Sequence, residues 1–293
     1  MNLKTRLKAA LNSFLNPSAK TPKIIIQEKY PEPSLVFNNK LLAGKNVLIT
    51  GAGQNIGKSI ALEMAKQGAN IYFTDLVEEK CLKLERELAQ YQITSKWFIS
   101  DISKTEDIDN LHNDFIENKI KLDILINNVG IQFNKFGIKN FELEEANKVF
   151  QTNIFKPMYL TKLIAEMMIS NQIFGSIIFI TSIHQYTLFR ELSYSASKAS
   201  LGMIIKELAI DLAAHRIRVN GIAPGVVQEN HKGDPLYYKY TPLHQSSINP
   251  KYIGRAVVYL ASDYFSHFTT GTVIKIDAGL SLRNYMVEIH FPQ

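Results

Sequence analysis

Strand-like and helix-like patterns alternate without a break from Val47 to Ile276, and that alternation limits the possible folds more than any single motif. Apolar runs such as Val47-Leu48-Ile49 and Ile177 to Ile180 read as strands buried on both faces, and the segments between such runs carry helical periodicity. Strands joined through helices pair in parallel, so the pattern predicts an α/β fold: one Rossmann-like, doubly wound parallel sheet with helices on both faces. The stretch contains no linker, repeat or low-complexity tract, which selects one domain from 293 residues that could have held two.

In such a sheet the ligand lies at the C-terminal strand ends, and the informative residues fall there. The first strand flows into Gly51-Ala52-Gly53-Gln54-Asn55-Ile56-Gly57 and then a helix, a geometry that lets backbone N–H groups approach a pyrophosphate. The next strand, Asn70 to Thr74, ends at Asp75, where a carboxylate can accept hydrogen bonds from an adenosine ribose. Turn and acid together point to a dinucleotide. Further along, Tyr194 and Lys198 lie i and i+4 on a helix and share one face. An ammonium there stabilises a phenolate and lowers the tyrosine's pKa towards neutrality, which makes a general acid or base.

Taken in order, these residues resemble the short-chain dehydrogenase/reductase family over about residues 42 to 283. Thr50, Gly51 and Gly57 match its cofactor loop, Asp101-Ile102 is similar to its adenine-contacting pair, and Asn127-Asn128-Val129-Gly130 resembles its Asn-Asn-Ala-Gly. Asn153, Ser182, Tyr194 and Lys198 match its catalytic tetrad, and Pro224-Gly225 matches its nicotinamide-side turn, with Val227 just beyond. The ending Thr270-Gly271-Thr272 to Asp277-Ala278-Gly279 is similar to the glucose and polyol dehydrogenase branch.

Three departures accompany the match. Asn55 stands where the family has glycine, and asparagine is the side chain that best tolerates a left-handed backbone. The interval from Ser182 to Tyr194 is one residue short, which makes Thr181 a rival for the hydroxyl role. Glu229 stands where the resemblance implies a threonine that contacts the nicotinamide amide, a bond that a carboxylate cannot donate.

The resemblance implies reversible hydride transfer between a secondary alcohol and a nicotinamide cofactor. Tyr194 would exchange the proton, Lys198 tune it, Ser182 hold the substrate oxygen and Asn153 anchor a water-linked proton path. Gln54, Ile56, Asn128 and Gly130 join the cofactor residues, and Asp75 favours NAD over NADP because it would repel a 2′-phosphate. Substrate-facing candidates are His184 and Gln185, with Tyr186 and Arg190, and a lid over about 226–248 that carries His231, Lys232, Asp234, Tyr237, Tyr238, Tyr240 and His244. Their polarity suits a sugar or polyol. A carbonyl reductase acting on 3-oxoacyl or quinone-like substrates stays open, as does a catalytically impaired dinucleotide-binding protein marked by Glu229. The histidines lack compact ligand spacing, so no metal is expected.

Charge separates an arm from the body. Residues 1 to 45 hold eight Lys or Arg against two Glu, and the rest holds 25 of each sign. The net +6 and the pI near 9.1 therefore belong to the arm, which leaves the body no field for nucleic acid. Leu3, Leu7, Ala10, Leu11, Phe14 and Leu15 form an apolar stripe there, suited to a neighbouring subunit in preference to a peripheral membrane contact. The expected division is a basic extension 1–41, a catalytic domain 42–283 and a tail 284–293, assembled as a dimer or tetramer. The lone Cys81 and the absence of a spanning run or signal peptide place the expectation in the cytoplasm.

Overall fold

Seven parallel strands form one sheet in the order β3-β2-β1-β4-β5-β6-β7 in a computed structural model that describes residues 40–228, 241–243 and 247–282. They are β1 (Asn46–Ile49), β2 (Asn70–Asp75), β3 (Ser95–Ile99), β4 (Ile124–Asn127), β5 (Ser176–Ile180), β6 (Arg218–Pro224) and β7 (Val273–Ile276). The basic arm, Glu229, the C-terminal tail and the lid side chains His231, Lys232, Asp234, Tyr237, Tyr238, Tyr240 and His244 lie outside the described residues. Both ends of the lid segment are described: Ile248 donates to the Val226 carbonyl and Gln228 to that of Ile248.

Alternation along each strand sorts its side chains into two cores. Val47, Ile49, Ile71, Phe73, Ile126 and Ile178 face one layer, whose helices are α1 (Asn55–Lys66), α2 (Glu78–Leu88) and α7 (Pro250–Ala261). Leu48, Tyr72, Leu125, Ile177 and Phe179 face the other, built from α3 (Thr105–Glu117), α5 (Lys156–Ser170) and α6 (Leu192–Ala213). Two short helices complete the set, α4 (Leu143–Phe150) and α8 (Asp263–Ser266). Cys81 lies among charged residues in sequence yet is fully buried on α2. Burial, with Asp75, Glu78 and Glu85 adding to it, pushes its thiol up to about 11, so it is a packing residue.

Two features place the site. The chain runs outward through β1, β2 and β3, then returns to set β4 on the other flank of β1. That reversal opens a crevice at the C-terminal ends of β1 and β4. Between α4 and α5 the helix widens into a π turn, Gln151–Phe155, which buries Thr152, Asn153 and Ile154. Such turns redirect a side chain that a regular helix would leave elsewhere.

Candidate active site

The crevice between β1 and β4 is held open by a clamp. Thr50 Oγ1 accepts from the Asn128 and Val129 amides at 3.0 and 3.2 Å, and Asn128 Nδ2 donates to the carbonyls of Thr50 and Gly51 at 2.9 and 3.0 Å. Gly51 takes φ +64° and Asn55 φ +46°, so asparagine adopts the left-handed turn for which its side chain suits it. The result is a cleft of about 390 Å³ lined by Gly51, Gln54, Asn55, Ile56, Gly57, Asp75, Asp101, Ile102, Asn128 and Gly130 among others.

These residues fit a dinucleotide. Gln54 precedes α1 without a side-chain cap, so no side chain of its own occupies the amides of the first turn, where an anion would bind. A Cβ on Gly57 would stand 2.2 Å from the Gly51 carbonyl oxygen; only glycine lets the loop fold this tightly. Asp75 Oδ2 accepts from the Gly53 amide at 2.8 Å and Oδ1 from that of Val77 at 3.1 Å, which fixes the carboxylate at the cleft wall with lone pairs to spare. Lys58 pairs with Glu87 at 2.8 Å.

Beside Gly130 stand two of the four tetrad candidates, Lys198 and Asn153. A Cβ on Gly130 would lie 3.1 Å from Lys198 Nζ and 3.5 Å from Asn153 Oδ1, so this glycine admits the ammonium to the cleft. The Ser182 side chain faces the Tyr194 hydroxyl, whereas Thr181 Oγ1 donates back into the sheet to the Ile222 carbonyl at 3.1 Å. The short interval therefore turns Ser182, not Thr181, to the tyrosine. Asn153 donates to the Ile131 carbonyl and Ser197 Oγ and accepts from the Ile131 amide, which fixes its side chain between the loop after β4 and α6. Pro224 ends β6, Gly225 packs on Asp277, and Val227 bridges to Ile248 at the base of the lid segment.

One expectation needs correction. Tyr194 is not poised near neutrality: burial pushes its phenol up to about 12, against the Ser182 hydrogen bond and with the aid of Glu191. Lys198 Nζ donates to the Ile180 carbonyl at 3.0 Å and lies 5.6 Å from the Tyr194 ring centroid. Burial lowers this ammonium to about 8. Spacing alone promised the charge pair; desolvation, which spacing cannot register, acts on both partners in the opposite sense.

Next to Tyr194 the fold assembles a polar group that only partly matches expectation. His184 stacks on Phe189 with ring centroids 3.9 Å apart and meets Tyr194 edge to face at 4.9 Å. Glu191 is only 5% exposed and accepts from Gln132 Nε2 at 2.6 Å. Neither Gln132 nor Glu191 stands out in the sequence, because what distinguishes them is burial against a loop distant in the chain. Gln185, by contrast, turns against α6, where its amide occupies the space over Gly202 and does not meet Tyr194. Serine, histidine and glutamate suggest a hydrolytic triad, but Ser195 Oγ at 3.1 Å and Glu191 Oε2 at 3.9 Å both face His184 Nδ1. No proton can be relayed across the ring.

Although His184 and Glu191 lie within ion-pair distance, they are not an ion pair. Burial, then Lys198, lowers the imidazole from 6.5 to about 4, and burial raises the Glu191 carboxyl despite the Gln132 bond. Folding thus favours neutral His184, whose contribution is intact above about pH 6.5 and is lost as pH falls through 6.5 towards 4, by at most about 3 kcal/mol. Thermal denaturation across that window should show a smaller decline for His184→Gln than for wild type; parallel declines would contradict the burial argument.

Comparison with known proteins identifies the family. The family model described as short chain dehydrogenase matches residues 45–234. Glucose 1-dehydrogenase of Gluconobacter oxydans is 32% identical over 253 residues, covering 82% of this chain and 93% of that one. The 3-oxoacyl-[acyl-carrier-protein] reductase of Buchnera aphidicola is 31% identical over 245 residues, covering 80% and 97%. A solved short-chain dehydrogenase/reductase from Mycobacterium marinum superposes with a TM-score of 0.76 at 27% identity, covering 82% and 96%. The chain belongs to the short-chain dehydrogenase/reductase family of oxidoreductases.

Proposed function

We propose that the protein is an NAD-dependent dehydrogenase that interconverts a secondary alcohol and a ketone on a small polar substrate. One observation supports this reading: Lys198 and Asn153 stand beside Gly130, which also lines the dinucleotide cleft, and Tyr194, faced by Ser182, lies with its ring 5.6 Å from the Lys198 ammonium. Bound nicotinamide dinucleotide would supply the hydride acceptor or donor. The glycine turn would hold its phosphates, Asp75 its adenosine ribose, Asp101-Ile102 its adenine, and Pro224, Gly225 and Val227 its nicotinamide side. Tyr194 takes the substrate hydroxyl proton in oxidation and returns it in reduction. Lys198, turned from the Ile180 carbonyl towards the phenol, offsets the desolvation that otherwise keeps the phenol protonated. Ser182 orients the substrate oxygen, and Asn153 positions Ile131 and Ser197.

Tyr194→Phe tests this assignment through the split between turnover and cofactor affinity. A polar substrate is supported by the buried His184 and Glu191 next to Tyr194 and by the likeness to glucose 1-dehydrogenase. A second reading, reduction of an acyl carbonyl, has Phe133 and Phe141 in its favour, since both line the cavity beside Tyr194. Following NADH absorbance with polyols and sugars beside 3-oxoacyl esters separates the two. The lone Cys81 fits a reducing cytoplasm, where we place the enzyme as a homo-oligomer with residues 42–283 as its catalytic domain.

Cofactor choice follows from charge. Asp75 would face a 2′-phosphate directly, Lys58 is held by Glu87, and Lys80 in the cleft wall softens the repulsion without removing it. Titration should give at least about tenfold tighter binding of NADH than of NADPH. Tighter binding of NADPH would overturn the preference.

A further inference from the structure

We propose that Glu191 sets the charge of the substrate: one carboxylate oxygen accepts a hydroxyl of a neutral polyhydroxylated substrate, and the site excludes compounds with a carboxylate or phosphate at that position. This rests on the reading of the site as a dehydrogenase and adds a residue that discriminates among substrates.

Three observations converge on it. Glu191 is a buried acid, and Gln132 satisfies Oε2 alone. Among the described residues Oε1 has no hydrogen-bond partner, and the side chain borders a cavity. Glu191 also lines, with Tyr194, Phe133 and Phe141, a cavity whose ammonium, Lys135, is already paired with Glu142 at 2.6 Å and Glu145 at 2.9 Å. A buried carboxylate with an open acceptor needs a donor, and a substrate hydroxyl supplies one while its reacting carbon stays near Tyr194. The walls keep the orientation fixed: the Gly137 amide donates to the Arg190 carbonyl at 2.8 Å, so the loop that bears Gln132 and the loop that bears Glu191 are tied together at a second point. A substrate carboxylate there would face Glu191 at close range, and the Lys135 ammonium, held by Glu142 and Glu145, is not free to compensate it.

Sorbitol and gluconate make the test, since they differ at one end by a hydroxymethyl against a carboxylate. Steady-state kcat/KM with NAD⁺, and calorimetric titration of the enzyme·NAD⁺ complex with each compound, would be measured for wild type, Glu191→Gln and Glu191→Asp. Wild type should prefer sorbitol by at least about tenfold, Glu191→Gln should shrink that ratio by about tenfold with its melting temperature little changed, and Glu191→Asp should keep it. A ratio unaltered in Glu191→Gln, a wild-type preference for gluconate, or binding of neither compound to an enzyme that oxidises other alcohols would overturn the proposal. Failure to oxidise any alcohol, together with a silent Tyr194→Phe, would instead sink the dehydrogenase reading beneath it.

Discussion

Tyr194→Phe is expected to lower turnover by about 10²- to 10⁴-fold while NAD(H) affinity stays nearly unchanged. The phenol hydroxyl is the proton-bearing group that faces Ser182 one helical turn from the ammonium, so its removal leaves the substrate proton without a destination. Affinity should persist because the groups that define the dinucleotide cleft, the glycine turn and Asp75, lie on β1, β2 and α1. Steady-state kinetics paired with cofactor titration makes the separation visible. Equal rates for the two proteins on a genuine substrate would remove Tyr194 from the mechanism. Lys198→Ala should impair turnover as well, because its ammonium, 5.6 Å from the Tyr194 ring, is placed to offset the burial that raises the phenol.

Gly57→Ala should have the largest effect on cofactor binding. The added methyl would meet the Gly51 carbonyl oxygen at 2.2 Å, Asn128 Nδ2 at 2.7 Å and Ala52 Cα at 2.9 Å. Two of these are backbone atoms, and the third is the amide that clamps β1 to β4, so relief requires the turn to open. Overpacking of this kind costs about 1–3 kcal/mol, and NADH affinity should fall by at least about tenfold as the phosphate-facing amides lose their alignment. A lowered melting temperature with wild-type affinity would show that the turn is structural only.

Much of this was legible in the sequence, and for identifiable reasons. Short apolar runs alternating with helical periods have few parallel arrangements open to them, so the single parallel sheet with helices on both faces followed from pattern. Asn55 was readable because its left-handed φ is a local property of one residue. Tertiary properties were not readable. The direction of Gln185 depends on the space that Gly202 leaves on α6, seventeen positions away in sequence. Glu191 and Gln132 meet across 59 residues through two loops whose shapes no periodicity encodes. The same limit explains Tyr194: i, i+4 spacing reveals which groups share a face, whereas desolvation is set by everything packed around that face.

The central claim is that Tyr194 and its neighbours direct a hydride from an alcohol carbon to a nicotinamide cofactor. Its most direct test uses alcohols deuterated at the carbinol carbon, polyols beside 3-hydroxyacyl esters, incubated with the enzyme and NAD⁺, with the reduced cofactor read by mass spectrometry. One deuterium per reduced cofactor is predicted for wild type, with little or none formed by Tyr194→Phe. Unlabelled reduced cofactor, or equal labelling by both proteins, would contradict the account.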